Sequence, residues 1–390
     1  MNDADADFGR IVTPANEVVG DLPSTRIEAA KLEHLDAQQS QQLLQLVDKY
    51  ADRFSDKPGL CDAAFHRIQS DFVPRQMRPY HVPDKFKPKV DRQIAELLEM
   101  GLIRPSNSPM VSPIVCVAKR DGGVRLAVDY LYLNKYTVGD AYPMTTIDEV
   151  VRNVGRGSFI RTFDPKSGYW QLLLAPKDRW LTAFVTHHGL YKWVRMPFGL
   201  KNAGATFVRV VRTVLQPIQT SSSSYADDMA VGSCGWLKHL VHVRQLLLIM
   251  RDAGITLNLA KCEFAKPQVK FVGRIVGSGT HQPDPEKVKE LVLVEPPATK
   301  KQLRHILRAL GYYREYVPRY TEIAKPLTDL TRDCVPCKLE TLWTEECQNA
   351  LNSLCQQLTS HHVFRVRPGV SRSFFILTVV GSLRELPWDS

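Results

Sequence analysis

The sequence has no long apolar run. Its longest, near Leu246–Met250, is far too short to cross a bilayer, so no membrane partner is expected. The opening Met1-Asn2-Asp3-Ala4-Asp5 is acidic and has no apolar signal core. Cysteine is scarce, eight in 390 residues, and follows no framework spacing. That excludes a disulfide scaffold and suits a reducing, intracellular setting with free thiols. Cys334-x-x-Cys337 has no second pair at zinc spacing and reads as no metal site. No internal repeat is visible.

What is present is bulk enough for two to four packed units, with 44% apolar and 24% charged residues. The net charge of +10 is unevenly spread. Residues 1–60 carry 6 Lys/Arg against 11 Asp/Glu, and residues 61–390 carry 45 against 30. A basic body behind an acidic leader suits a polyanionic partner such as nucleic acid, although charge alone fits a basic protein with no such partner equally well.

Periodicity places a helix near Ala37–Phe54 and another from Asp91 to Gly101. Pro74 to Pro88 reads as an extended strap. The middle of the chain reads as strands. Ile114–Ala118 and Val124–Tyr130 flank the basic turn Lys119-Arg120-Asp121-Gly122-Gly123. Phe159–Phe163 ends at Asp164, and Ala183–Thr186 with Tyr191–Arg195 flank His187-His188-Gly189. Ala205–Leu215 and His239–Ala253 follow helical spacing. After Gly279 helices dominate, at Asp284–Val292, Lys301–Tyr313 and Thr344–Leu358.

Two acidic positions carry the chemistry. Asp164 closes an apolar strand, and Asp227-Asp228 sits in Tyr225-Ala226-Asp227-Asp228-Met229. Adjacent carboxylates in an apolar hairpin repel each other and lose hydration, so a structure keeps them most readily when hard, oxygen-seeking cations neutralise them. A third carboxylate on a neighbouring strand end completes a two-metal site for phosphoryl chemistry. Taken alone, the pair reads as a solvated turn and Lys119–Arg125 as an ordinary basic hairpin tip.

In their order along the chain these segments resemble the reverse transcriptases of gypsy-type LTR retrotransposons and, more distantly, retroviral polymerases. The matching segments are Arg78–Pro83, Gly101–Ser106, Val128-Asp129-Tyr130, Asp164 with Ser167–Gln171, and Thr182-Ala183-Phe184. They continue with Met196–Asn202, Tyr225–Asp228, Lys261–Phe264, Phe271-Val272-Gly273 and Pro283–Val288.

The resemblance implies an α+β right-hand polymerase. An acidic leader or linker would occupy 1–60 and fingers with an antiparallel palm sheet 61–278. A helical thumb or connection would occupy 279–358, and the start of a ribonuclease-H-like domain 359–390. It implies an RNA-directed DNA polymerase that adds deoxynucleotides from their triphosphates to a primer 3′-hydroxyl on an RNA or DNA template. Two magnesium ions, with manganese as a substitute, would sit on Asp164, Asp227 and Asp228. Lys119, Arg125, Tyr169 and Phe198 would bind the nucleotide, with Tyr169 as the gate against a ribose 2′-hydroxyl. Phe271, Val272 and Gly273 would grip the primer. Thr299–Arg304 and Tyr312-Tyr313-Arg314 match thumb segments that run beside the duplex. The implied location is cytoplasmic, in a virus-like particle, or nuclear.

Some positions depart from the pattern. Ser221–Ser224 replaces an apolar strand, Pro165 follows the first catalytic Asp, Gly204 stands in place of Pro, and Leu131 in place of Arg. Ser373–Thr378 resembles a first ribonuclease H strand, but Val379-Val380-Gly381-Ser382 lacks that domain's Asp. Protease and integrase motifs are absent, so the expectation is one fragment of a polyprotein. The rival readings are a catalytically degenerate remnant that keeps nucleic-acid binding and a polymerase-type fold serving as a protein scaffold.

Overall fold

The computed structural model describes residues 22–71, 73–118, 124–143, 146–225, 228–292, 295–360 and 364–365. In chain order, helix α1 (Ala37–Lys49) precedes strand β1 (Cys61–His66), helix α2 (Lys87–Glu99) and strands β2 (Ile103–Pro105), β3 (Ser112–Ala118) and β4 (Val124–Val128). Helices α3 (Leu131–Tyr136) and α4 (Ile147–Gly155) lead to β5 (Phe159–Phe163), β6 (Leu172–Leu174), β7 (Phe184–Val185) and β8 (Leu190–Trp193). Then come α5 (Ala203–Leu215), β9 (Ser222–Tyr225), β10 (Asp228–Ser233), α6 (Trp236–Asp252) and β11 (Glu263–Lys266). Strands β12 (Val269–Phe271), β13 (Arg274–Gly277) and β14 (Thr280–Pro283) precede helices α7 (Pro285–Val292), α8 (Lys300–Tyr312), α9 (Tyr320–Ile323), α10 (Lys325–Asp329) and α11 (Glu345–Thr359), with β15 at Phe364–Arg365.

The central sheet has the order β11-β5-β10-β9. Strand β5 lies inside it with an apolar residue buried on each face, Ile160 fully and Phe163 nearly so. Helix α6 backs the sheet with Val243, Leu246, Leu247 and Met250, all fully buried. An outer sheet, β2-β8-β7-β3-β4, packs with α2. A third sheet, β12-β13-β14-β15, leads into helices α7 to α11, which enclose a separate core around Leu303, Leu310, Leu327 and Leu354.

The serine tract forms a strand after all. Strand β9 is the edge of the central sheet, not an inner strand, and pairs Ser224, Ser223 and Ser222 with Met229, Ala230 and Val231. The Ser222 hydroxyl donates to the Ile218 carbonyl at 2.9 Å, and Asn153 donates to the Ser223 hydroxyl at 3.2 Å. All four serines are buried, and backbone pairing with these local bonds compensates where an apolar side chain would have contributed burial. Pro165 likewise costs no ladder bond. The Asp164 carbonyl accepts from Asn258 N at 2.8 Å, and Lys166 N donates to Thr256 at 3.0 Å, on either side of it.

The acidic segment expected as a leader or linker is part of the folded body from residue 22 onward. A capping box between Asp36 and Gln39 starts α1. Leu43, Val47, Tyr50 and Phe54 recur on one face and enter the main core. Trp236 donates to Gln42 at 2.7 Å, Arg251 forks onto both oxygens of Asp52 at 2.6 and 3.0 Å, and Lys31 reaches the Ala260 carbonyl at 2.5 Å. This arm covers Arg161, a fully buried arginine on β5. Its guanidinium lies 4.4 Å from the Phe264 ring centre, 4.7 Å from Phe163 and 6.0 Å from Phe54. None of its nitrogens has a hydrogen-bond partner, and burial pulls its pKa down to about 10. The three ring faces are what hold the charge.

Among the described residues, no helix is long and apolar enough to cross a membrane. The expected ribonuclease-H-like start lies outside the described residues, apart from Thr359, Ser360 and β15.

Candidate active site

Strand pairing brings the first two acidic positions together. Phe163 lies opposite Met229 in the antiparallel pair β5–β10, so Asp164 and Asp228, one residue further along, fall at the same end of adjacent strands. Tyr225 pairs with Asp228 and closes a two-residue hairpin. Asp227, between the two in sequence, lies outside the described residues, as does Lys119.

Asp164 and Asp228 both line an open cavity of about 660 Å³. Lys261, Lys266, Lys270 and Phe271 also line it. Lys261 Nζ stands 2.8 Å from Asp164 Oδ2, and the Asp164 side chain is 19% exposed. An ammonium on this carboxylate marks the cavity as a place where positive charge is favoured. The motif Lys261–Phe264 marks Lys261 in the sequence without a role, because nothing in the sequence says that the turn after α6 returns to Asp164.

Tyr169 sits on a short 3-10 turn, Gly168–Gln171. Its ring stacks on Phe198 at 5.1 Å and leans on Phe207 at 5.4 Å. Gly168 is required for this: a Cβ there would lie 2.8 Å from the Phe207 ring. A Cβ on Gly204 would lie 3.4 Å from the Tyr169 hydroxyl, so the residue that departs from proline is in contact range of the expected gate. Phe198 is half exposed, an apolar ring left open to solvent. Arg125 stands elsewhere, exposed on β4 opposite Val117, and is not a wall of the Asp164 cavity.

Phe271, Val272 and Gly273 form the end of β12 and its turn into β13. Both turn residues have positive φ, 49° and 66°. Glycine tolerates this, whereas a β-branched valine does so against its preference. The turn is held from the helical unit. Tyr312 donates to the Val272 carbonyl at 2.6 Å and Tyr313 to the Gly273 carbonyl at 2.9 Å. Burial pushes the Tyr313 hydroxyl up to about 12, so it stays a donor at neutral pH. These tyrosines, expected beside a duplex, face the turn. Within Thr299–Arg304, Lys300 is buried and donates to the Arg332 carbonyl, Leu303 is core, and Lys301 and Arg304 remain on the surface.

A four-stranded sheet with carboxylates at its inner strand ends, a second sheet before it and a helical unit after it define a right-hand polymerase. The reverse transcriptase (RNA-dependent DNA polymerase) family matches residues 117–276. The Retrovirus-related Pol polyprotein from transposon 297 of Drosophila melanogaster is 33% identical over 76% of this chain and 29% of its own length. That from transposon gypsy is 33% identical over 74% and 29%. The enzymatic polyprotein of cauliflower mosaic virus is 35% identical over 68% and 40%. Foamy viral protease-reverse transcriptase in complex with dsDNA superposes with TM-score 0.76 at 26% identity, over 86% of this chain and 70% of that one. The same protein with RNA/DNA hybrid gives 0.73 at 27% identity, over 83% and 44%. The chain belongs to the reverse transcriptases of gypsy-type LTR retrotransposons. It spans well under half the length of these curated relatives.

Proposed function

We propose that the chain is the polymerase core of a retrotransposon polyprotein. It is an RNA-directed DNA polymerase that extends a primer with deoxynucleoside triphosphates on an RNA or DNA template. The observation that carries this reading is the placement of Asp164 and Asp228 at adjacent strand ends on one lysine-walled cavity. The donor set fits magnesium, since carboxylate oxygens are the ligands that hard divalent ions prefer. Asp164, Asp227 and Asp228 would hold it. When bound, it lowers the pKa of the primer 3′-hydroxyl and neutralises charge on the triphosphate.

The chain's own residues do the rest. Tyr169, braced by Phe198 and Phe207, would form the floor under the incoming sugar and exclude a 2′-hydroxyl. Lys119 and Arg125 would take the triphosphate, Arg125 from outside the carboxylate cavity, which it does not line. Phe271, Val272 and Gly273 hold the primer end over the carboxylates, which keeps the attacking oxygen in line. The basic body supports phosphate contacts that do not read sequence. The related foamy viral enzyme in complex with dsDNA and with RNA/DNA hybrid favours the same class of partner here. Of the three features that motivate a degenerate remnant, Pro165 and the serine tract are accommodated in the sheet, and the C-terminal tail lies outside the described residues.

Extension of oligo-dT on poly-rA with magnesium tests the proposal. Incorporation by the chain, abolished by Asp164→Asn and by Asp227→Asn/Asp228→Asn, supports it. Duplex binding with no incorporation would replace it with the remnant, and no duplex binding at low salt would favour the scaffold.

A further inference from the structure

The outer sheet carries a second cluster of metal-ligating side chains, away from the carboxylate cavity. Strands β7 and β8 are joined by Thr186-His187-His188-Gly189. Consecutive residues in a strand point to opposite faces, so two adjacent histidines converge only if a turn rotates them together. Here it does. The Thr186 hydroxyl accepts from the backbone N–H groups of both His188 and Gly189 at 3.2 Å, and Thr186 N donates to the Gly189 carbonyl at 2.8 Å. The imidazole ring centres end 4.2 Å apart.

Both rings aim at one residue of α2. His187 Nε2 is 2.9 Å and His188 Nε2 3.2 Å from Asp91 Oδ1. The helix that carries Asp91 is packed and tied to the sheet. Val90 and Ile94 are buried, and Gln93 locks the helix to β4 by donating to the Val124 carbonyl at 2.9 Å. Among the described residues, these three are the one group of His, Cys, Asp and Glu whose ligand atoms all lie within 4.8 Å of one another.

We propose that Asp91, His187 and His188 bind a divalent transition metal of the zinc class, with solvent filling the remaining position. Two imidazole nitrogens and one carboxylate oxygen are the donor set of an open zinc site. Ligand bonds of about 2.0–2.2 Å in tetrahedral geometry put ligand atoms about 3.3 Å apart. The observed 2.9 and 3.2 Å to Asp91, with all three ligand atoms within 4.8 Å of one another, are close to that spacing. Imidazole is a poor ligand for magnesium, so this site and the carboxylate cavity select different ions. Occupied, it ties α2 to the β7–β8 hairpin through three metal bonds.

The test is zinc binding by the full chain in millimolar magnesium, which saturates the hard carboxylate site, read by calorimetry and by the melting temperature. One zinc equivalent and a rise in melting temperature are expected. Both should be lost in His187→Ala/His188→Ala but kept in Asp164→Asn and in Cys334→Ser/Cys337→Ser, the latter excluding capture by exposed thiols. The histidine double variant must show the parent's circular dichroism. If it does not, Asp91→Asn is read in its place. No zinc equivalent in the parent, or an equivalent that survives loss of the histidines, would overturn the proposal and leave the cluster as a hydrogen-bonded clasp.

Discussion

The Tyr312 hydroxyl donates to the Val272 carbonyl at 2.6 Å, and through it the helical unit holds the turn expected to grip the primer. The bond joins residues 40 positions apart, and Tyr313 repeats it on Gly273.

Tyr312→Phe removes one such bond and leaves the ring. The expected loss of stability is small, about 0.5–1.5 kcal/mol. The functional effect should be selective: a higher KM for primer–template at an unchanged KM for nucleotide. Steady-state extension with each substrate varied in turn checks this. Equal changes in both constants would detach the tyrosines from primer placement.

Gly168→Ala drives a methyl group to 2.8 Å from the Phe207 ring, and Phe207 in turn supports Tyr169. Overpacking of this kind costs about 1–3 kcal/mol. The variant should melt lower and discriminate less sharply between deoxy- and ribonucleotides, measured as the ratio of kcat/KM for dTTP and UTP. Unaltered discrimination would show that Tyr169 does not need this bracing.

Lys261→Met removes the ammonium 2.8 Å from Asp164. Lys261 is two-thirds exposed, so the pair is worth about 0.2–1 kcal/mol. A cation on the same carboxylate competes with magnesium. The half-saturating magnesium concentration should therefore fall by about 1.4- to 5-fold, read from extension rates across a magnesium titration. A rise would mean that Lys261 orients Asp164 for the ion.

Among the described residues, His66, His239 and His281 are buried, which favours the neutral form. Loss of hydration lowers His66 to about 4, His239 to about 3 and His281 to about 4. Their folded values lie below the unfolded value near 6.5, so the stability they contribute is present above that pH and is lost as pH falls toward the folded values. Between pH 7.5 and 5 each removes about 2 kcal/mol. Urea unfolding at pH 7.5 and pH 5 should show the drop, and His239→Gln should reduce it.

Strand β5 with Asp164, the His187-His188 hairpin and the helices after Gly279 were legible in the sequence. Each is a local pattern, an apolar run closed by a charge, turn residues between two runs, or apolar residues at helical spacing. What escaped depended on partners far along the chain. Asp52 meets Arg251 and Gln42 meets Trp236 across roughly two hundred residues, so the docked arm read as a leader. The serine tract is opaque for a related reason: composition does not say whether a strand lies at the edge of a sheet. Lys261 reaches Asp164 only because β11 pairs with β5.

Arg161 sets where this polymerase unit can be divided. Its charge rests against three phenyl rings, and one of them, Phe54, comes from the arm. A cut after residue 60, where composition changes sign, would take away that ring and the helix beside it. It would bring water to a cation in the strand that ends at Asp164. In modular terms the smallest exchangeable unit is therefore larger than the family match at residues 117–276, because the acidic arm supplies part of the floor beneath the active strand.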